Sequence, residues 1–242
     1  MHYLFLFGCL VAFGYHKQKG VLINYLEKFK LYPLTYTLIV INTLLFVVAS
    51  LNESLDEALY LSGVLHGYSV VMKGEVYRLV TSIFLHSDSI HLIMNMLSLY
   101  MVGTVVERLF NKFEYLSIYF ISAFFGSFTS IYVHLGGQAV GASGAIFGLF
   151  GALAGFAFVH RNTMREQFID FMKNFGVILF INLVIGFTVP NIDVSAHVGG
   201  LVAGVIGGYL IAKQKRYLWI YIAISGVSFV LIYNYISTLY AH

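Results

Sequence analysis

Residues 141–156 read Gly141-Ala142-Ser143-Gly144-Ala145-Ile146-Phe147-Gly148-Leu149-Phe150-Gly151-Ala152-Leu153-Ala154-Gly155-Phe156, an apolar run broken by one hydroxyl and by glycines at helical spacing. Gly144, Gly148, Gly151 and Gly155 share a helix face, and Gly200, Gly204 and Gly208 repeat the pattern in residues 194–212. In lipid no hydrophobic force draws helices together, so faces of small residues that allow backbones to touch take over that task. The rest of the chain points to the same solvent. Of 242 residues, 59% are hydrophobic and 10% charged, and the mean hydropathy is +0.82, far from the balance of a soluble domain. Apolar windows approaching the roughly 20 residues needed to cross a bilayer fall at 35–50, 90–106, 115–133, 142–159, 175–190, 194–212 and 217–237. The expected fold is all-α, a polytopic membrane bundle of seven helices joined mostly by short loops.

The net charge of +3 is a matter of topology. With residues 1–34 cytoplasmic up to the first helix, Lys17, Lys19, Lys28, Lys30, Arg108, Lys112, Arg161, Arg165, Lys173, Lys213, Lys215 and Arg216 lie inside, and only Lys73 and Arg78 outside. The acids divide almost evenly, as expected if orientation follows Lys and Arg rather than net charge. No nucleic-acid partner is expected. This asymmetry, with no Arg-rich transit peptide, predicts a multi-pass protein of a bacterial-type cell membrane. The single Cys9 cannot form an internal disulfide and reads as a buried or lipid-facing thiol; the apolar run 3–15 has no assigned place. Residues 51–89, the longest connection, mix charges with Leu61, Val64, Leu65, Tyr68 and Tyr77 and read as an amphipathic segment lying in the outer interface.

Three polar clusters interrupt the apolar helices near their outer ends. Ser143 stands at a helix start between residues with little side chain, where unpaired N–H groups and the positive end of the helix dipole favour a developing negative charge. A serine there can also simply cap the helix. His197, in Asp193-Val194-Ser195-Ala196-His197-Val198-Gly199-Gly200, is an ionisable group one turn into a span, three residues from a packing glycine. Neutral imidazole can take a proton from serine and return it to a leaving amine; alone, the ring could equally make a hydrogen bond between helices. If the glycine faces pair, Ser143 and His197 come close enough to share a hydrogen bond. His91 and Asn95 lie four residues apart on one face of the second span and could either complete an oxyanion site or bond to a neighbouring helix. Asp193 reads as an N-cap rather than as a third member beside His197.

Gly141-x-Ser143-Gly144, Ala196-His197-x-Gly199-Gly200 and His91-x-x-x-Asn95, on these helices, resemble the rhomboid family over residues 33–212. The resemblance implies a Ser143/His197 catalytic dyad and an oxyanion site of His91, Asn95 and the Ser143 N–H with Ala142. Gly141 and Phe147 belong to the same oxyanion and substrate-binding region, Phe147 where family members often place a ring against the catalytic histidine. Tyr77-Arg78 stands where the family commonly has Trp-Arg. It further implies a six-helix core over 33–212, an N-terminal cytoplasmic or interfacial segment 1–32, and an additional C-terminal helix within 213–242. The implied activity is hydrolysis of peptide bonds in or near transmembrane segments of membrane proteins through an acyl-enzyme, with no cofactor and no metal. The alternative is a catalytically inactive rhomboid-like protein that binds transmembrane clients. A zinc enzyme would need His-Glu-x-x-His, which is absent; no span carries aspartates at its middle for an aspartyl dyad; and the interrupted or repeated helices of a transporter are not found.

Overall fold

A computed structural model of the chain describes residues 30–134, 136–163, 165, 166, 169, 170, 173, 177 and 193–240. Cys9, the apolar run 3–15 and the expected span at 175–190 lie outside these residues.

Helix α1 (Pro33–Ser50) opens with a proline, whose fixed φ and missing N–H suit a first turn. No side chain at the cap position serves the next N–H groups. They are met from a distant helix: the Glu107 carboxylate accepts from Leu34 N at 2.8 Å, Thr35 N at 2.9 Å and Thr35 Oγ1 at 2.7 Å. The Thr35 hydroxyl also lies 3.2 Å from that of the fully buried Tyr115.

The connection expected to be amphipathic is a folded platform. It comprises α2 (Glu53–Gly63), the two-residue strand β1 (Leu65–His66), α3 (Gly67–Met72), α4 (Arg78–Thr81) and a 3-10 turn, Ser82–Phe84. Leu61, Tyr68 and Tyr77 are exposed while Leu65, Val70 and Leu79 are buried. Arg78 is 6% exposed and ties the platform together, donating to Val64 O at 2.9 Å, Leu61 O at 2.8 Å and the Glu75 carboxylate at 2.5 Å. A buried guanidinium is tolerable because its donors are satisfied this way.

Next come α5 (Ser89–Leu109), α6 (Lys112–Val133), β2 (Gln138–Ala139), α7 (Ser143–Val159), α8 (Val194–Lys213) and α9 (Tyr217–Tyr240). Side chains start three of them. Asp88 accepts from His91 N, Asn111 and Glu114 form a reciprocal capping box, and Asp193 accepts from Ala196 N. Among the described residues, α1, α5, α6, α8 and α9 are long and apolar enough to cross a membrane. The 17-residue α7 spans only about 26 Å and is enclosed by its neighbours. Lys30, Arg108, Lys112, Arg161, Lys213, Lys215 and Arg216 gather at one end of the bundle, where Lys215 reaches the buried Glu114 at 2.7 Å. Lys73 and Arg78 belong to the other end, with β2 and the start of α7, the distribution that the Lys/Arg rule describes.

Two cores follow. The larger joins α1, α5, α6, α7 and α8 around Leu99, Val102, Ile118, Tyr119 and Leu149, and extends to Leu218 and Tyr221 of α9. The smaller joins the platform to α6 and α9 through Leu65, Val70, Val71, Leu79, Phe128, Ile131 and Ile236.

Candidate active site

The loop entering α7 is fixed from several sides. Strand β2 pairs antiparallel with β1, Ala139 opposite Leu65 and Gln138 opposite His66. Two residues later Gly141 has φ +118°, a conformation open to glycine and strained for other residues, and its N–H donates to Ser82 O at 3.0 Å. Space makes the same demand: a Cβ here would sit 2.7 Å from Cε1 and Nε2 of His91 and 3.8 Å from Nδ2 of Asn95. The Gly141 turn and these two side chains of α5 therefore face one another.

Ser143 is the first residue of α7, and the cap position belongs to the fully buried Ala142. No side-chain hydrogen bond caps this helix, and its first backbone bond runs from Ile146 N to Ala142 O. The N–H groups of the opening turn have no intrahelical partner, as at any uncapped helix start. Ser143 is itself partly exposed.

The glycine faces do pair. An added Cβ at Gly200 would strike the Gly144 carbonyl, one at Gly204 the Gly148 carbonyl, and one at Gly208 the Ala152 carbonyl. This ladder advances four residues at a time on both helices, and running it back places His197 one turn before the contact of Gly200 with Gly144. Phe147, one turn after Ser143, stacks on the His197 imidazole with centroids 4.2 Å apart and planes within 7°. Helices α7 and α8 thus meet backbone to backbone beside both side chains, but no hydrogen bond joins Ser143 to His197.

Asp193 is occupied at its own helix start. Its carboxylate accepts from Ala196 N at 3.0 Å and from Ser195 Oγ at 2.5 Å. Burial pushes this carboxyl upward, but hydrogen bonds from Ser130, Ser195 and Ala196, aided by His134, more than offset it and hold it below the usual range. The main chain links it to His197, whose N–H donates to Asp193 O at 3.3 Å.

On α5, Asn95 Nδ2 donates to His91 O at 3.0 Å, and His91 Nδ1 lies 3.1 Å from Ser87 Oγ. Both bonds are local, and among the described residues neither side chain forms the interhelical bond that could have explained it. His86 meets the edge of His91 at 5.1 Å. Among the described residues, neither of its buried ring nitrogens has a well-formed hydrogen bond. Burial first, then the neighbouring His91, lower its pKa to about 3; the Phe84 main chain and Asp88 favour the charged form without offsetting this.

Gly141, Ala142, Ser143, His91 and Asn95 thus surround one turn, with Phe147 and His197 stacked beside it. Sequence reading did not find Ser82, whose carbonyl fixes Gly141, or Gly126, where a Cβ would lie 2.8 Å from the Ala196 carbonyl. Neither bears a local signal, because each acts on a residue more than fifty positions away.

A profile of the rhomboid domain matches residues 73–214. The chain is 39% identical over 183 residues to rhomboid protease GluP of Bacillus subtilis, covering 75% of this chain and 35% of GluP. With RHOMBOID-like protein 1 of Arabidopsis thaliana it shares 36% identity over 155 residues, 64% of this chain and 39% of that protein. These matches span well under half of either relative. YdcA of Bacillus subtilis is 30% identical over 200 residues, which are 80% of this chain and 96% of YdcA. The matched domain, the near-complete coverage of YdcA and the apolar helical bundle lead to one assignment: the chain is a multi-pass membrane protein belonging to the rhomboid family.

Proposed function

We propose that this protein is an intramembrane serine endopeptidase, with residues 33–212 as its catalytic core and the last helix as an addition to it. The observation that carries the reading is the start of α7: Ser143 opens a helix that no side chain caps, beside a histidine-bearing helix in backbone contact at Gly144 and Gly200. A serine that served only as a cap would occupy the Ala142 position and bond to the helix N–H groups.

In this mechanism Ser143 Oγ attacks the carbonyl carbon of a peptide bond in a transmembrane substrate, and its proton passes to His197. The two groups come into hydrogen bonding when substrate arrives, since catalytic bonds are often long in unliganded sites. The developing oxyanion takes hydrogen bonds from the N–H of Ser143, with Ala142 at the cap position, and from His91 and Asn95 across the Gly141 turn. Collapse expels the amine, which receives the proton from His197. Water, deprotonated by the same imidazole, then releases the acyl group. The substrate segment must unwind to expose its carbonyl, so helix-weakening residues near its outer end are favoured.

The test is labelling of the purified full chain with a fluorophosphonate, comparing wild type with Ser143→Ala and His197→Ala. Labelling of wild type that disappears in both variants supports the enzyme. Folded wild type that no fluorophosphonate labels would instead support the inactive, client-binding reading.

A further inference from the structure

Among the described residues the last helix touches the rest of the molecule at two separated places. At its inner end Leu218 and Tyr221 are buried in the main core, and Tyr221 donates to Ala203 O at 3.2 Å. Its middle is open: a Cβ at Gly226 would meet nothing within 4 Å among the described residues, and Ile224 and Val227 are about 60% exposed. At its outer end it closes again, on the platform. Ile236 is fully buried against the cluster holding Leu65, Val70 and Leu79, the Tyr233 hydroxyl lies 3.4 and 3.3 Å from the carbonyls of Val70 and Val71, and Phe229 packs edge-on against Phe128 of α6.

Helix–helix association in a bilayer would be served by the inner anchorage alone. The outer one grips the C-terminal turn of α3, and from there a short path leads to the serine. Leu65 lies in the same buried cluster and, in β1, pairs with Ala139; Tyr60 of the platform donates to Gln138 Oε1 at 3.0 Å; the Ser82 carbonyl holds the Gly141 N–H. Three residues separate Ala139 from Ser143. The outer turns of α9 and the loop delivering Ser143 are therefore fastened to one platform.

We propose that Tyr233 and Ile236 are positioning residues for the proposed peptidase: the outer end of α9 braces the platform, and through the β1–β2 pair it sets the Gly141–Ser143 loop against α5 and α8. The inference rests on Ser143 being the nucleophile for its effect on activity, but not for its effect on the loop. A partner that bent or displaced this helix would alter the site without entering it.

The experiment uses the full chain in detergent or nanodiscs and compares wild type with Tyr233→Phe, Ile236→Ala, the conservative Ile236→Val and Leu231→Ala, the last on the exposed face of the same helix. Amide hydrogen exchange at 138–143 reports the loop, fluorophosphonate labelling reports Ser143, and kcat and KM on a transmembrane reporter report turnover. In Ile236→Ala, exchange at the Gly141 amide should rise roughly tenfold, and labelling and kcat should fall about tenfold with KM within about twofold, since small misplacements act on the chemical step. Tyr233→Phe should move in the same direction by less, while Ile236→Val and Leu231→Ala stay near wild type. Wild-type exchange and labelling in folded Ile236→Ala and Tyr233→Phe would overturn the proposal, and so would equal losses in Leu231→Ala. If wild type neither labels nor cleaves, the peptidase reading fails, and the exchange rates alone decide whether the brace exists.

Discussion

Phe147 lies flat on His197, ring centroids 4.2 Å apart and planes 7° from parallel. One residue belongs to the helix that Ser143 begins and the other to the helix packed on it, so the stack fixes the imidazole plane relative to the serine. Aromatic pairs contribute about 0.5–1.5 kcal/mol beyond area burial. If that energy holds the ring in its working orientation, Phe147→Leu should lower kcat about two- to tenfold, and Phe147→Tyr should keep most of it. Initial cleavage rates at saturating substrate check this; equal rates for Leu and Phe would mean that the stack does not orient the ring.

Acid should destabilise the protein through His86. Its folded-state pKa of about 3 lies below its ordinary 6.5 because of burial and the nearby His91. Above about pH 6.5 the ring is neutral in both folded and unfolded chains, and the native state has its full stability. As pH falls from there toward 3, the unfolded ring takes up a proton that the folded one refuses, so stability declines. Asp88 and Asp193, both held below the usual carboxylate range, add losses of the same sign once pH passes into that range. Melting temperatures measured from pH 7 to 4.5 should fall for wild type and fall less for His86→Phe; parallel slopes would remove His86 as the cause.

Glu107 should be a stability residue out of proportion to its place at a helix end. It accepts three hydrogen bonds at the start of α1, from Leu34 N, Thr35 N and the Thr35 hydroxyl, and bonds to charged groups contribute about 1.5–3 kcal/mol each. Removing the carboxylate also leaves that helix start without a cap, so Glu107→Ala should cost roughly 2–4 kcal/mol. Glu107→Gln keeps an acceptor and should lose about half as much. Denaturant or thermal unfolding in mild detergent measures both, and a Glu107→Ala loss under about 1 kcal/mol would show that water replaces the carboxylate at little expense.

Features governed by local periodicity are legible in the amino-acid sequence. The spans at 35–50, 90–106, 115–133, 194–212 and 217–237 match α1, α5, α6, α8 and α9 to within a few residues at most ends. The glycine spacing foretells the pairing of α7 with α8, because a small-residue face every four positions has little other use in lipid. Features set by long-range contacts are not legible in this way. Glu107 serves a helix 72 residues earlier, and the β1–β2 pair joins residues 65 and 139 through only two positions on each strand, too few for an alternating pattern. The grip of Tyr233 on α3 is hidden for the same reason.

The α7–α8 contact should tolerate no side chain at Gly204, whereas α9 should accept one freely at Gly226. At Gly204 an added Cβ would fall inside contact distance of the Gly148 carbonyl, a backbone atom with no freedom to rotate away. At Gly226 nothing among the described residues lies within 4 Å. Helix propensity favours alanine at both by about 1 kcal/mol, so it cannot explain a difference between them. Overpacking a well-filled interface costs about 1–3 kcal/mol and sometimes more, and here relief requires the two helices to move apart, taking His197 away from Ser143. Gly204→Ala should therefore lower the melting temperature and reduce fluorophosphonate labelling together, while Gly226→Ala leaves labelling unchanged and the melting temperature equal or slightly higher. Equal behaviour of the two variants would mean that α7 and α8 are not in backbone contact in the membrane.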